Sequence, residues 1–197
     1  MLIRIFGRGP LAQPIAALAE RAGHIVRWAD DTPVPPYNDE LFDLVILAGS
    51  RSGVEADLAN VSSESLQNLI VVDAITPTEN EVEGSSTEKP SIGDWIATML
   101  PQPRIVRAFA SVPVQAFTDL LDATSSDTES KLAVPLAGDD AEAKALVGTF
   151  MREIGVEPFD LGALGSAEVL NPGGPLWGKA LGQVELLEAV GRLGGDG

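Results

Sequence analysis

The chain has 197 residues, of which 45% are hydrophobic and none is cysteine, and its formal net charge is −16 at pH 7. This negative charge repels a phosphate backbone or an anionic surface, so nucleic acid is not an expected partner. The lack of cysteine excludes disulfides, thiolate catalysis and cysteine metal sites. No run approaches the ~18 apolar residues of a membrane span and no signal-peptide pattern is present, so we expect a cytoplasmic protein without membrane insertion.

The first predicted strand, at 2–6, leads into a glycine turn that opens the first predicted helix. The turn reads Gly7-Arg8-Gly9-Pro10-Leu11-Ala12, a G-x-G-x-x-A pattern typical of dinucleotide-binding proteins. Its first glycine permits the tight turn, its second lets a pyrophosphate approach the backbone, and its alanine lets the helix pack on the sheet. We expect the backbone of Arg8, Gly9, Pro10 and Leu11 to face the pyrophosphate, with the Arg8 side chain either adding a cation there or lying exposed.

The second predicted strand, at 24–28, ends beside two acidic residues. Asp30 lies 21 residues after Gly9, where a carboxylate hydrogen-bonds the adenosine ribose in dinucleotide-binding folds. Asp31 adds a second negative charge where an NADP-binding protein needs cations for the 2′-phosphate. The sequence therefore favours NAD, and the alternative is that both acids lie in a solvated turn.

Further along the chain, short apolar runs alternate with helix-compatible segments, which is typical of a mainly parallel sheet with helices on both faces. Strands are predicted near 2–6, 24–28, 42–48, 69–74, 104–109, 132–137 and 156–160. Helices are predicted near 11–22, 91–100, 113–122, 139–153 and 178–192. The prolines within 32–38 predict a loop in place of one crossover helix.

These elements predict a Rossmann-like, doubly wound α/β fold in a single NAD(P)-binding domain. We expect its core at about 1–172, a C-terminal helix at 173–193 and a frayed tail at 194–197. The apolar positions of the C-terminal helix either close the core or pack against a second subunit.

Groups suited to acid–base or nucleophilic catalysis are sparse. The single histidine, His24, begins the second predicted strand, away from the carboxyl edge of the sheet, so we expect it to be structural. Without cysteine or a second histidine, Ser-His-Asp and Cys-His arrangements and a histidine-rich zinc site are not expected. We predict no catalytic side chain and no metal site, so any catalysis would work by positioning a cofactor.

The order and spacing of several segments resemble the F420-dependent NADP oxidoreductase family over nearly the whole chain. The matching segments are the glycine turn, Ala22–His24, Phe42–Ala48, Ile70–Ala74 with Pro77, Arg104–Phe109, Val134–Lys144 and Asp160–Leu164. The resemblance implies NADP as the cofactor, a flavin or coenzyme F420 as the second substrate, and a homodimer. It also implies a dinucleotide laid across the carboxyl edge of the sheet.

The resemblance also implies which residues contact the dinucleotide. The adenosine half would pass beside Ala48, Gly49 and Ser50, and the nicotinamide would be flanked by Thr76, Pro77, Phe109, Ala110 and Ser111. Two departures stand out. Many relatives carry Ser-Arg where this chain has Asp30-Asp31, and relatives usually carry a polar residue where it has Ala110.

From these patterns we expect an NAD(P)-binding oxidoreductase that exchanges hydride between a nicotinamide cofactor and a small electron carrier, of the flavin or deazaflavin type or another. The alternative is a non-catalytic dinucleotide-binding module that senses redox state or regulates a partner, which the sparse acid–base chemistry and Ala110 favour. Both would bind a dinucleotide, but only the enzyme would oxidise NADH or NADPH when an acceptor is present.

Overall fold

The strands form one twisted sheet with seven members in a row and a short eighth at one side. The computed structural model describes residues 1–30, 42–59, 61, 67–76, 91–123 and 132–194, and the strands below are those of these residues. They are β1 Leu2–Phe6, β2 Ile25–Trp28, β3 Leu44–Leu47, β4 Ile70–Asp73, β5 Arg104–Ala108, β6 Leu132–Gly138, β7 Glu157–Asp160 and β8 Leu181–Gly182. Their order is β2-β1-β3-β4-β5-β6-β7, with β8 paired to β6.

Strands β1 to β5 are parallel to one another, as the alternating pattern predicts. β6 runs antiparallel to β5, β7 is parallel to β6, and β8 is antiparallel to β6. The predicted class, a mainly parallel Rossmann-like sheet with a C-terminal helix, is confirmed.

Helices cover both faces of the sheet. Their bounds are α1 Ala12–Arg21, α2 Arg51–Leu58, α3 Ile92–Met99, α4 Val114–Asp122, α5 Ala141–Glu153, a 3₁₀ helix Leu164–Leu170, and α6 Gln183–Gly194. The sequence did not predict α2, the 3₁₀ helix or β8. The C-terminal helix begins at Gln183, later than predicted, because Leu181–Gly182 pairs with β6 instead. The predicted loop within 32–38 and the last residues of the predicted tail lie outside the described residues.

The core follows from the alternation of side chains along each strand. On one face, Ile3, Ile5, Leu44 and Ile46 are fully buried in a cluster with residues of α1, α4 and α5. On the other face, Val45, Leu47 and Val71 are buried with residues of α2 and α3. None of the described helices is long and apolar enough to cross a membrane.

The chain reverses its direction of travel across the sheet at β1. From β1 it crosses to β2 on one side, and β3 and the following strands lie on the other side. The carboxyl ends of β1 and β3 therefore flank a switch point, which is where ligands bind in open α/β sheets. We call this space, between Gly7–Leu11 and Ala48–Ser50, the β1/β3 crevice.

His24 lies at the amino end of β2, remote from the crevice. Its Nδ1 is 3.2 Å from the N-terminal amine, its Nε2 is 3.3 Å from a Glu153 carboxylate oxygen, and its ring packs 5.5 Å from that of Phe150. Burial, followed by the nearby N-terminal ammonium, lowers the pKa of His24, against opposing effects of Glu153 and Asp43.

This lowered pKa predicts a loss of stability on acidification. The folded protein holds His24 neutral below its ordinary pKa of 6.5, whereas the unfolded chain takes up a proton. The free energy of unfolding should therefore fall as the pH drops through 6.5 towards the folded value. We expect His24→Asn to remove this part of the pH dependence. Urea unfolding of both proteins from about pH 8 to about pH 5 measures it, and a difference between them that does not change with pH contradicts the prediction.

Candidate functional site

Two loops touch across the β1/β3 crevice because Gly7, Gly9 and Gly49 leave room for backbone-to-backbone contact. The Gly9 amide donates to the Ala48 carbonyl oxygen at 2.9 Å. Gly7 has a φ of +86°, and a Cβ on it would stand 2.8 Å from that same oxygen. A Cβ on Gly9 would stand 2.7 Å from the Gly49 Cα. Side chains at either position would push the loops apart.

The N-terminus of α1 opens into this crevice without a capping side chain. Its N-cap residue, Leu11, makes no side-chain hydrogen bond, and the first turn carries no acid. α4 also begins without a capping side chain, at Pro113, whereas Ser50, Ser91 and Asp140 cap α2, α3 and α5. An uncapped helix start presents free N–H groups and the positive end of the helix dipole, which suit a phosphate.

The structure narrows the predicted pyrophosphate contacts. The Gly9 amide is already bonded to Ala48, and Pro10 has no N–H to offer. The Gly7 amide donates to an Asp57 carboxylate oxygen at 2.7 Å, a contact from α2 that the sequence did not predict. Of the four residues named from the sequence, Arg8 and Leu11 are the two that can present backbone N–H groups.

The Arg8 side chain turns towards the end of β2. Its guanidinium forms an ion pair with Asp30 and lies 4.4 Å from the centre of the Trp28 ring. The side chains of Arg8 and Asp30 are 49% and 68% exposed, so both are accessible to a ligand. The strand end predicted to be purely acidic thus holds a cation as well. Asp31 lies outside the described residues.

The loops after β3 and β4 are also joined. Ser50 is half-buried and its hydroxyl accepts from the Gly53 amide at 3.2 Å, while Ala48 and Gly49 are buried. The Thr76 amide donates to the Gly49 carbonyl at 3.1 Å, which brings Thr76 to the crevice. Pro77 lies outside the described residues.

The end of β5 departs from the prediction for Phe109. This residue has a φ of +70°, and its ring is fully buried, 5.8 Å from Phe117 and 6.3 Å from Phe150. Its side chain belongs to the core and cannot flank a nicotinamide, so only its backbone remains a candidate. Positive φ in a bulky residue is costly and is found where a turn needs it, often at functional sites.

Ala110 and Ser111 follow, 6% and 2% exposed. The Ser111 carbonyl accepts from the Gly178 amide at 2.7 Å, which ties this loop to the segment before α6. The Ser111 hydroxyl is buried and has no hydrogen-bond partner among the described residues. Ala110 thus offers no polar side chain, whereas its neighbour Ser111 offers a hydroxyl.

One buried ion pair was missed by the sequence reasoning. Asp73 at the end of β4 and Arg107 on β5 are neighbours in register, with Arg107 Nη1 donating to Asp73 Oδ2 at 2.5 Å. Their side chains are 2% and 5% exposed. The other Asp73 oxygen accepts from the Ile75 amide at 3.1 Å. The signal in the sequence that could have revealed this pair is a charged residue in each of two neighbouring apolar strands.

Sequence similarity to a known protein covers about half of the chain. The chain matches no protein-family profile. It is 30% identical over 105 residues to metalloreductase STEAP3 of Rattus norvegicus, covering 53% of this chain and 20% of that protein. The chain thus spans about a fifth of the length of this relative.

Two solved structures match over nearly their full length. A hypothetical protein of Sinorhizobium meliloti superposes with a TM-score of 0.67 at 19% identity, covering 93% of this chain and 96% of that one. A protein described as a candidate F420-dependent NADP reductase of Arthrobacter sp. FB24 gives 0.63 at 21% identity, covering 96% and 94%. One of these neighbours thus carries the name of the family that the sequence resembles, and at this identity the likeness confirms the shared fold alone.

Proposed function

We propose that the protein is a nicotinamide-dependent oxidoreductase that binds its dinucleotide in the β1/β3 crevice. The observation that carries this proposal is the uncapped N-terminus of α1, held at the switch point by the contact between Gly9 and Ala48. A pyrophosphate is the group that such a helix start accommodates. The names of the relative and of one structural neighbour, both reductases, support the proposal.

Hydride transfer suits the chemistry of this edge of the sheet. A bound nicotinamide cofactor would supply the hydride, so the chain needs only to bind, orient and exclude water. The groups that would do so are the backbone of Arg8 and Leu11, the Asp30 carboxylate, Thr76 and the buried Ser111 hydroxyl. We infer that the second substrate is a small electron carrier with a flavin-type or deazaflavin-type ring.

Turnover separates the enzyme from the non-catalytic alternative. We expect NADH or NADPH absorbance to fall when the protein is mixed with the reduced dinucleotide and FMN, a deazaflavin or a quinone as acceptor. A protein with Gly9→Val, in which the crevice is blocked, is the control and should be inactive. Tight binding of the dinucleotide without turnover with any of the acceptors would instead support a redox-sensing module.

We propose NAD rather than NADP because Asp30 lies just after β2, where a 2′-phosphate would approach, and Asp31 follows it in the sequence with a second negative charge. The Arg8–Asp30 pair moderates this preference, since Arg8 brings a positive charge to the same strand end. In an NAD complex, Asp30 would accept from a ribose hydroxyl while its partner Arg8 remains stacked on Trp28.

Cofactor preference should therefore shift when these charges are changed. In the variant Asp30→Ser/Asp31→Arg we expect the ratio of the NADP and NAD dissociation constants to fall by about tenfold or more, the effect of one charge-assisted hydrogen bond. Calorimetric titration with both cofactors measures the ratio. The variant Asp119→Ser/Asp122→Arg makes the same change of net charge on α4 and should leave the ratio unchanged. An equal ratio in the first variant and the wild type would remove the basis for NAD.

A further inference from the structure

A planar cation lies half-exposed where the glycine turn meets the end of β2. The guanidinium carbon of Arg8 lies over the Trp28 ring, 4.4 Å from its centre, and Nη2 of Arg8 donates to an Asp30 carboxylate oxygen. A guanidinium at this distance from an indole is attracted to the face of the ring. We call these two side chains, Trp28 with Arg8 above it, the Trp28–Arg8 stack.

The stack has a second face that a ligand can reach. Trp28 covers one face of the Arg8 plane, and Asp30 binds the plane at its edge. The Arg8 side chain is nevertheless 49% exposed and that of Asp30 is 68% exposed. A flat group can therefore approach the guanidinium from the side opposite Trp28.

The guanidinium is also held in place before a ligand arrives. Asp30 and Trp28 fix it at two points. Its backbone precedes Gly9, whose amide donates to the Ala48 carbonyl oxygen at 2.9 Å. A plane that is already oriented loses little conformational freedom on binding, which raises the affinity for a group that stacks on it.

The charges of the cluster favour a neutral ring over a phosphate as the stacking partner. Asp30 offsets the positive charge of Arg8, and Asp31 follows it in the sequence with a further negative charge. A phosphate would be repelled by these carboxylates. An aromatic ring carries no net charge, and its π face is attracted to the guanidinium.

The position of the stack identifies which ring would bind. The N-terminus of α1 suits a pyrophosphate, and Asp30 suits a hydroxyl of the ribose attached to it. In a dinucleotide the ribose carries the base on its far side from the pyrophosphate. Because Arg8 is bonded to Asp30, its open face lies beside the place where that base would be.

We propose that Arg8 is the adenine-binding residue of this protein, and that the adenine ring stacks on the guanidinium face opposite Trp28. Asp30 then has two tasks, since it accepts from the ribose and acts as the positioning residue for Arg8. The place of the adenine within a whole dinucleotide rests on the proposed function, whereas binding of an adenine nucleoside at the stack does not.

Adenosine tests the stack directly because it carries the base and the ribose without a phosphate. Its binding to the wild type, Arg8→Met and Arg8→Lys can be measured by ligand-observed NMR titration. Methionine provides an apolar side chain without the charge or the plane, and lysine keeps the charge without the plane. We expect the dissociation constant of adenosine to rise about fivefold or more in both variants, the effect of losing one stacked base.

The matched control is Arg27→Met, which removes an exposed cation from β2 itself. Successive side chains of a strand point to opposite faces, so Arg27 lies on the other face of β2 from Trp28. This variant should bind adenosine like the wild type. Equal adenosine affinity of the wild type and Arg8→Met would overturn the proposal, and so would wild-type affinity in Arg8→Lys, because a point charge would then suffice. Absence of adenosine binding would also overturn it.

A parallel NADH titration separates this proposal from the proposed function. Adenosine binding that depends on Arg8, without any binding of NADH, would reject the dinucleotide site and keep the stack. NADH binding as tight in folded Arg8→Met as in the wild type would reject the stack and keep the dinucleotide site.

Discussion

Replacing Asp73 by alanine should lower the free energy of unfolding by about 3–5 kcal/mol, the cost of leaving one member of a buried ion pair alone. The Arg107 side chain, which is 5% exposed, would then be buried with no counter-charge at Nη1. The same substitution removes the acceptor of the Ile75 amide. Urea unfolding at neutral pH measures the loss.

Two further variants make this prediction specific. Glu157→Ala breaks a partly exposed pair with Arg152, whose Nε is 3.6 Å away, and should cost at most about 1 kcal/mol. The double variant Asp73→Leu/Arg107→Met removes both charges and should be more stable than Asp73→Ala. A loss below about 1 kcal/mol for Asp73→Ala would show that the pair is not buried as described.

Gly9→Val should abolish tight dinucleotide binding and also destabilise the fold. Its Cβ would stand 2.7 Å from the Gly49 backbone, so the two loops of the crevice must separate and the bond from Gly9 to Ala48 is strained. We expect a stability loss of about 1–3 kcal/mol, as for overpacked sites. We expect NADH affinity to fall by about 100-fold, which corresponds to ~2.8 kcal/mol.

The matched control is Gly191→Val on α6, where an added Cβ meets no atom within 4 Å. It should change neither NADH binding nor stability appreciably. Calorimetric titration with NADH, on samples shown to be folded by circular dichroism, separates a blocked crevice from an unfolded protein. Unchanged NADH affinity in folded Gly9→Val would contradict the placement of the pyrophosphate.

The sequence predicted the strands well because buried parallel strands are short apolar runs that stand out from their surroundings. It missed α2, whose eight residues bury only Val54 and Leu58 and therefore carry little helical periodicity. It also missed the Asp73–Arg107 pair. Each residue looks like a polar interruption of a strand, and their contact depends on the register of β4 against β5.

Two residues of the predicted site make side-chain contacts that depend on three-dimensional placement. The Arg8 side chain is exposed, which is one of the two alternatives that the sequence leaves open, and parallel pairing of Ile5 with Trp28 brings the end of β2 beside the glycine turn, where Asp30 and Trp28 contact the guanidinium. Phe109 was assigned to the nicotinamide, but its positive φ turns the ring into the core. Neither contact follows from spacing along the chain.

Calorimetric titration of the wild-type protein with NADH, NADPH, NAD and NADP tests the central claim most directly. The β1/β3 crevice predicts saturable binding of one dinucleotide per chain, tighter for the NAD forms than for the NADP forms. Tighter binding of NADP would overturn the cofactor preference while leaving the site in place. No binding of any of the four would contradict the account, because the uncapped helix start and the glycine contacts would then serve the fold alone.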